Sequence, residues 1–67
     1  MQQQIVHALM QECYANIEIA KMNVLVFIGH PVGVGDHPDL MKTIQGQLDI
    51  ISQNKDRLNV LEEYFND

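Results

Sequence analysis

The residues that break helices and strands are gathered in one short stretch near the middle of this chain. Both prolines and three of the four glycines lie between Gly29 and Pro38. The long segments on either side contain one further breaker, Gly46. Breakers concentrated in this way separate two long helices rather than many short strands. We therefore expect an all-α chain, with helices over about residues 3–28 and 38–65 and a loop at 29–37.

Each flanking segment carries apolar residues alternately four and three residues apart, which is the spacing of a heptad seam. In the first segment the seam comprises Val6, Met10, Cys13, Ile17, Ala20, Val24 and Phe27. In the second it comprises Leu40, Ile44, Gln47, Ile51, Asn54, Leu58, Leu61 and Phe65. Two helices of this length joined by a short loop pack side by side in opposite directions. The sequence therefore predicts an antiparallel two-helix hairpin, forming a single domain over residues 1–67.

Two features leave local alternatives. Residues 23–28 have the apolar composition of a β-strand, but no second segment offers a partner strand and the heptad spacing continues through them, so a helix is favoured. At the helix ends, Gly29 is expected to form a left-handed cap, and either Asp36 or His37 is expected to cap the second helix.

The second seam contains two polar residues, Gln47 and Asn54. A buried polar residue in a heptad seam can set the register and the choice of partner, at some cost in stability. The alternative interpretation is that the seam drifts around the helix and both side chains face solvent. The sequence alone leaves these two interpretations equally open.

A hairpin can bury only one stripe of each helix, and both helices have a second apolar stripe. Residues 24–28 are apolar all round, which is typical of a helix with neighbours on every side. Soluble monomers seldom expose large apolar patches. We therefore expect a homo-oligomer, most simply a dimer that forms a four-helix bundle. The candidate interface residues are Ala15, Ile19, Met22, Val26, Ile50, Val60 and Tyr64.

The loop region contains side chains that could bind a ligand: His30, Asp36, His37 and Asp39. Imidazole and carboxylate groups suit zinc and other transition metals, and the neighbouring glycines could bring backbone N–H groups to an anion. However, no compact metal motif is present, and helix capping accounts for the acids. We expect no resident metal or cofactor. A metal or small-ligand site in this loop is the alternative to an interaction role.

Composition and charge exclude several classes of function. Nine acids and four bases give a net charge of −5, which disfavours nucleic acid as a partner. The longest apolar run has five residues, whereas a membrane span needs about 20. The N-terminus lacks the pattern of a signal peptide, and Cys13 has no second cysteine to pair with. No catalytic set is recognisable. We therefore expect a non-enzymatic protein of the cytoplasm.

The stretch Pro31-Val32-Gly33-Val34-Gly35-Asp36-His37-Pro38-Asp39 and the helix end at residues 58–65 resemble small proteins of T4-like marine tailed phages, of the cyanophage type. The resemblance covers about two-thirds of the chain, residues 23–65. It implies a phage-encoded protein that acts in the bacterial cytoplasm or in the virion. It brings no established activity and no catalytic residues. The partners it suggests are a second copy of the chain and a host or virion protein.

Overall fold

The computed structural model describes residues 1–29 and 39–65, which form an antiparallel pair of α-helices. Helix α1 spans Gln2–Gly29 and helix α2 spans Leu40–Phe65. Within these described residues no β-strand is present, so the strand alternative at residues 23–28 is wrong. The predicted all-α hairpin is the observed fold.

The heptad seams are the surfaces along which the two helices meet. All seven predicted positions of α1 and seven of the eight in α2 are buried or half-buried. The exception is Phe65, which is 58% exposed. It is the last residue of α2 and lies beside the first turn of α1, where little of the partner helix remains to cover it. Its ring packs instead on that of Tyr64, with centroids 6.4 Å apart.

The helix ends differ in detail from the sequence expectation. Helix α1 continues through Gly29, so the left-handed cap expected there does not form. Helix α2 begins at Leu40, and the carbonyl of Asp39 accepts bonds from the Thr43 N–H at 2.9 Å and the Thr43 hydroxyl at 3.1 Å. Asp39 thus holds the first turn of α2 through its backbone. The cap candidates Asp36 and His37 lie outside the described residues.

The hairpin has a thin core. Among the described residues only Cys13, Ala20, Asn54 and Leu58 are buried. Ala20, which is 1% exposed, is small enough to let the two helices approach closely. Since no third layer of structure covers this helix pair in the described part of the chain, each helix keeps apolar side chains that the hairpin does not bury.

Candidate interaction surfaces

A buried amide pair joins the two helices at the middle of the hairpin. The Asn16 Nδ2 donates a hydrogen bond to the Asn54 Oδ1 at 3.0 Å. The Asn54 Nδ2 in turn donates to the Ile50 carbonyl at 2.8 Å. Asn54 is only 3% exposed, so its amide is removed from water and depends on these two partners.

A second amide pair lies one heptad away. The Asn23 Nδ2 donates to the Gln47 Oε1 at 3.0 Å. Both pairs are separated by seven residues on each helix, and in both pairs the two residue numbers add to 70. The two pairs therefore describe one antiparallel register. The structure places Gln47 and Asn54 between the helices, rather than toward solvent.

Sequence reasoning missed the α1 half of these pairs. Asn16 and Asn23 flank the α1 seam and do not belong to it, so a count of apolar residues passes over them. A usable signal was present, because their seven-residue spacing matches that of Gln47 and Asn54. Polar residues at equal spacing on two antiparallel helices can meet in pairs.

One broad surface of the hairpin carries large exposed apolar side chains from both helices, and we call it the apolar face. Heptad geometry places its side chains on the same side of the seam as Asn16 and Asn23. All its large apolar side chains are exposed. They are Ile5, Leu9, Ile19 and Val26 from α1 and Ile50, Val60 and Tyr64 from α2.

The opposite broad surface combines apolar and charged residues, and we call it the mixed face. Its exposed apolar side chains are Tyr14, Leu25, Ile28, Met41 and Leu48. Its charged residues are Glu18, Lys21, Lys55 and Glu62. A Lys21–Glu18 ion pair of 3.3 Å forms here, between side chains that are both well exposed, so it contributes little to stability.

A groove of about 500 Å³ opens on the apolar face between the helices. Its floor is apolar and includes Cys13, while the charged Glu12 and Arg57 lie on its two walls. Its remaining lining residues are Leu9, Gln53, Asp56, Val60 and Leu61. An apolar floor between charged walls suits an amphipathic helix better than a small polar ligand.

The predicted interface residues are all exposed, and the structure divides them into two groups. Five of them belong to the apolar face as defined above. Ala15 and Met22 instead lie on the outer side of α1, directed away from α2. The seven residues therefore do not form one surface.

The structure describes one of the four loop candidates for ligand binding, Asp39. His30, Asp36 and His37 lie outside the described residues, and Asp39 is exposed at the start of α2. Over residues 1–29 and 39–65, no three His, Cys, Asp or Glu side chains cluster in a way that could hold a metal ion.

No family model, curated protein or solved structure matches this chain. Neither of the two described helices is long and apolar enough to cross a bilayer.

Proposed function

We propose that this protein is a non-enzymatic interaction module, a small phage accessory protein that self-associates into a helical bundle and binds a host or virion protein. The observation that supports this proposal is the pair of exposed faces on a hairpin that has only four buried residues within its described helices. Small chains with so little core commonly gain stability by association. Exposed apolar faces of this extent mark contact surfaces in soluble proteins.

The two faces suit two different kinds of contact. The apolar face carries more of the large exposed apolar side chains, with the oppositely charged Glu12 and Arg57 among them, as expected of a surface that stays covered in an assembly. The mixed face concentrates its apolar side chains toward one end, at Leu25, Ile28, Met41 and Leu48. An apolar patch next to charged residues is typical of contacts that form and dissociate. We assign the host or virion partner to the mixed face.

The charge of the chain indicates the chemistry of that partner. The net charge is −5, and five of the exposed acids are Glu12, Asp49, Asp56, Glu62 and Glu63. An acidic surface accelerates association with a basic one and selects against acidic competitors. The mixed face itself is balanced, with Glu18 and Glu62 against Lys21 and Lys55, whereas Asp49, Asp56 and Glu63 lie on the outer side of α2. We therefore propose a partner with an apolar groove or helix and with basic residues at the edge that reaches the outer side of α2. The proposed setting is the cytoplasm of the infected bacterium.

The test is affinity capture with the immobilised protein, from bacterial host lysate and from disrupted phage particles. Wild type should retain a specific protein at low salt and release it near 1 M salt, where the Debye length is about 3 Å. Leu48→Glu should lose the retained protein, because it places a charge within the apolar patch of the mixed face.

The matched control is Gln45→Glu, which adds the same charge at an exposed position that is already polar. It should retain the partner. If wild type and Leu48→Glu retain the same proteins in the same amounts, the mixed face is not a binding surface and the proposal is wrong.

A further inference from the structure

Building on the proposed self-association, we infer that the apolar face is a dimer interface whose occupant is a second copy of this chain. The two copies are related by a two-fold axis parallel to the helices. Helix α1 of one copy then packs on α2 of the other, and the open ends of both hairpins lie together. The basis is the order of side chains along the face, which is complementary to itself.

The amide pairs set the levels along the hairpin. Because Asn16 meets Asn54 and Asn23 meets Gln47, residues of α1 and α2 whose numbers add to about 70 lie at the same height. A two-fold axis parallel to the helices preserves height and exchanges α1 for α2. Each residue of α1 on this face therefore meets, in the other copy, the α2 residue of the same height.

This rule pairs side chains of matching chemistry. Leu9 meets Val60, Ile19 meets Ile50 and Glu12 meets Arg57, and the two numbers of each pair add to 69. Apolar groups thus face apolar groups at the levels of Leu9 and Ile19, whereas Val26 meets Thr43. Glu12 of each copy faces Arg57 of the other, and because of the two-fold symmetry each contact occurs twice in the dimer.

The charged pair is available for such contacts. Glu12 and Arg57 are both exposed and lie on opposite walls of the groove. Of the ion pairs within 4 Å in the described part of the chain, none involves either residue. Each side chain can therefore reach across an interface to the other copy, and the groove floor between them accepts apolar side chains.

Two other arrangements fail the same comparison. On the mixed face, the same axis would set Lys21 against Leu48 and Tyr14 against Lys55, which buries ammonium groups on apolar surface. An axis perpendicular to the helices at the mid-height of the hairpin would bring Glu12 of one copy over Ile19 of the other, so a carboxylate would face an apolar side chain. Of these three arrangements, the axis parallel to the helices on the apolar face is the one that pairs Glu12 with Arg57.

The size of the face also fits a stable dimer. Helix α1 has 28 residues, which at 1.5 Å each gives a length of about 42 Å. Two helices side by side are about 20 Å wide, so the face covers about 800 Å². A standard interface buries about 800 Å² on each partner. One copy therefore covers the apolar face of the other along its length.

The test is a charge exchange, with mass measured by sedimentation equilibrium. Wild type should be a dimer. Glu12→Arg sets two arginines against each other, and Arg57→Glu sets two glutamates against each other. Each variant should weaken the dimer on the order of tenfold or more, because the repulsion occurs twice. An equal mixture of the two should form a one-to-one heterodimer, since every charge then faces its opposite.

Controls use matched positions on the mixed face. Glu18→Arg and Lys55→Glu make the same charge changes and should leave the dimer intact. Ile19→Glu should give a monomer, whereas Leu25→Glu should not, although the two side chains are 60% and 59% exposed. Circular dichroism should show unchanged helix content in every variant, because all these side chains are exposed.

The results that overturn the inference are distinct from those that overturn the proposed function. Any one of three results excludes this interface. The wild type is a monomer, or the dimer tolerates Glu12→Arg and Arg57→Glu, or the mixture of the two variants stays monomeric. Capture of a partner that depends on Leu48 would still support the partner-binding part of the proposed function in those cases, although a monomeric wild type would remove its self-association. If the dimer behaves as expected but captures no host or virion protein, the dimer interface is supported and the proposal of a partner on the mixed face is wrong.

Discussion

Asn16→Ala tests whether the buried amide pair stabilises the hairpin. The substitution removes the side chain that donates to the Asn54 Oδ1 at 3.0 Å. Asn54 remains 3% exposed, with its own Nδ2 still bonded to the Ile50 carbonyl. Its oxygen is therefore left buried without a donor, which is the costly way to break a hydrogen bond.

The expected magnitude follows from two opposing effects. An unsatisfied buried polar group costs about 1–3 kcal/mol. Alanine at an exposed or half-buried helix position stabilises by up to about 0.7 kcal/mol relative to asparagine. With the full helix-propensity offset, the net loss in the free energy of unfolding is therefore about 0.3–2.3 kcal/mol. For a domain of this size, each kcal/mol lowers the Tm by about 4–8 °C.

The measurement is urea and thermal unfolding followed by the helix signal in circular dichroism, at one fixed protein concentration because association would shift the transition. Asn59→Ala is the matched control: the same chemical change at an exposed position of α2. It should be neutral or slightly stabilising, through helix propensity alone. If Asn16→Ala costs no more than Asn59→Ala, the amide pair contributes nothing and the argument from burial is refuted.

Two further predictions follow from the buried residues of α1. Ala20→Leu should destabilise by about 1–3 kcal/mol in the same unfolding assay, because Ala20 is 1% exposed and the larger side chain would have to displace its neighbours. Ala15→Leu, at an exposed position, should be close to neutral, and equal effects at the two sites would contradict this packing. The Cys13 thiol is buried, so a thiol reagent should react with the native protein far more slowly than with protein unfolded in urea. Equal reaction rates would show that α1 and α2 do not pack as described.

The sequence was a good guide wherever apolar spacing alone decides the structure. The seams from Val6 to Phe27 and from Leu40 to Leu61 are where the two helices meet. The spacing could not show that Phe65 stays exposed beside the first turn of α1, because this depends on how the two helices are aligned. The same limit applies to Asn16 and Asn23. A polar residue beside a seam looks like a solvent-facing one until the opposite helix supplies its partner.

The candidate surfaces were predictable only in part, for a related reason. Heptad positions identified Ile19, Val26, Ile50, Val60 and Tyr64 as unburied by the hairpin, and they share one face. The complementarity between Glu12 and Arg57 was not visible, because it depends on the height of each residue along the opposite helix. The amide pairs set that height. The spacing of apolar residues does not reveal their α1 members, Asn16 and Asn23.

The amide pairs and the apolar face depend on one register, and this explains why two polar pairs occupy so small a core. Sliding α2 by one heptad in one direction would keep an Asn23–Asn54 contact but set Asn16 against Leu61. Sliding it in the other would keep an Asn16–Gln47 contact but set Asn23 against Leu40.

Either slip leaves an amide facing a leucine, a penalty of about 1–3 kcal/mol if that amide is buried. A purely apolar seam would distinguish these registers far less, since one leucine or isoleucine replaces another at little cost. The same slip would bring Glu12 to the height of Ile50 or Tyr64 instead of Arg57. The internal polar pairs thus set the heights of the external charges, so a hairpin in the wrong register would also lose the Glu12–Arg57 pairing of the proposed dimer.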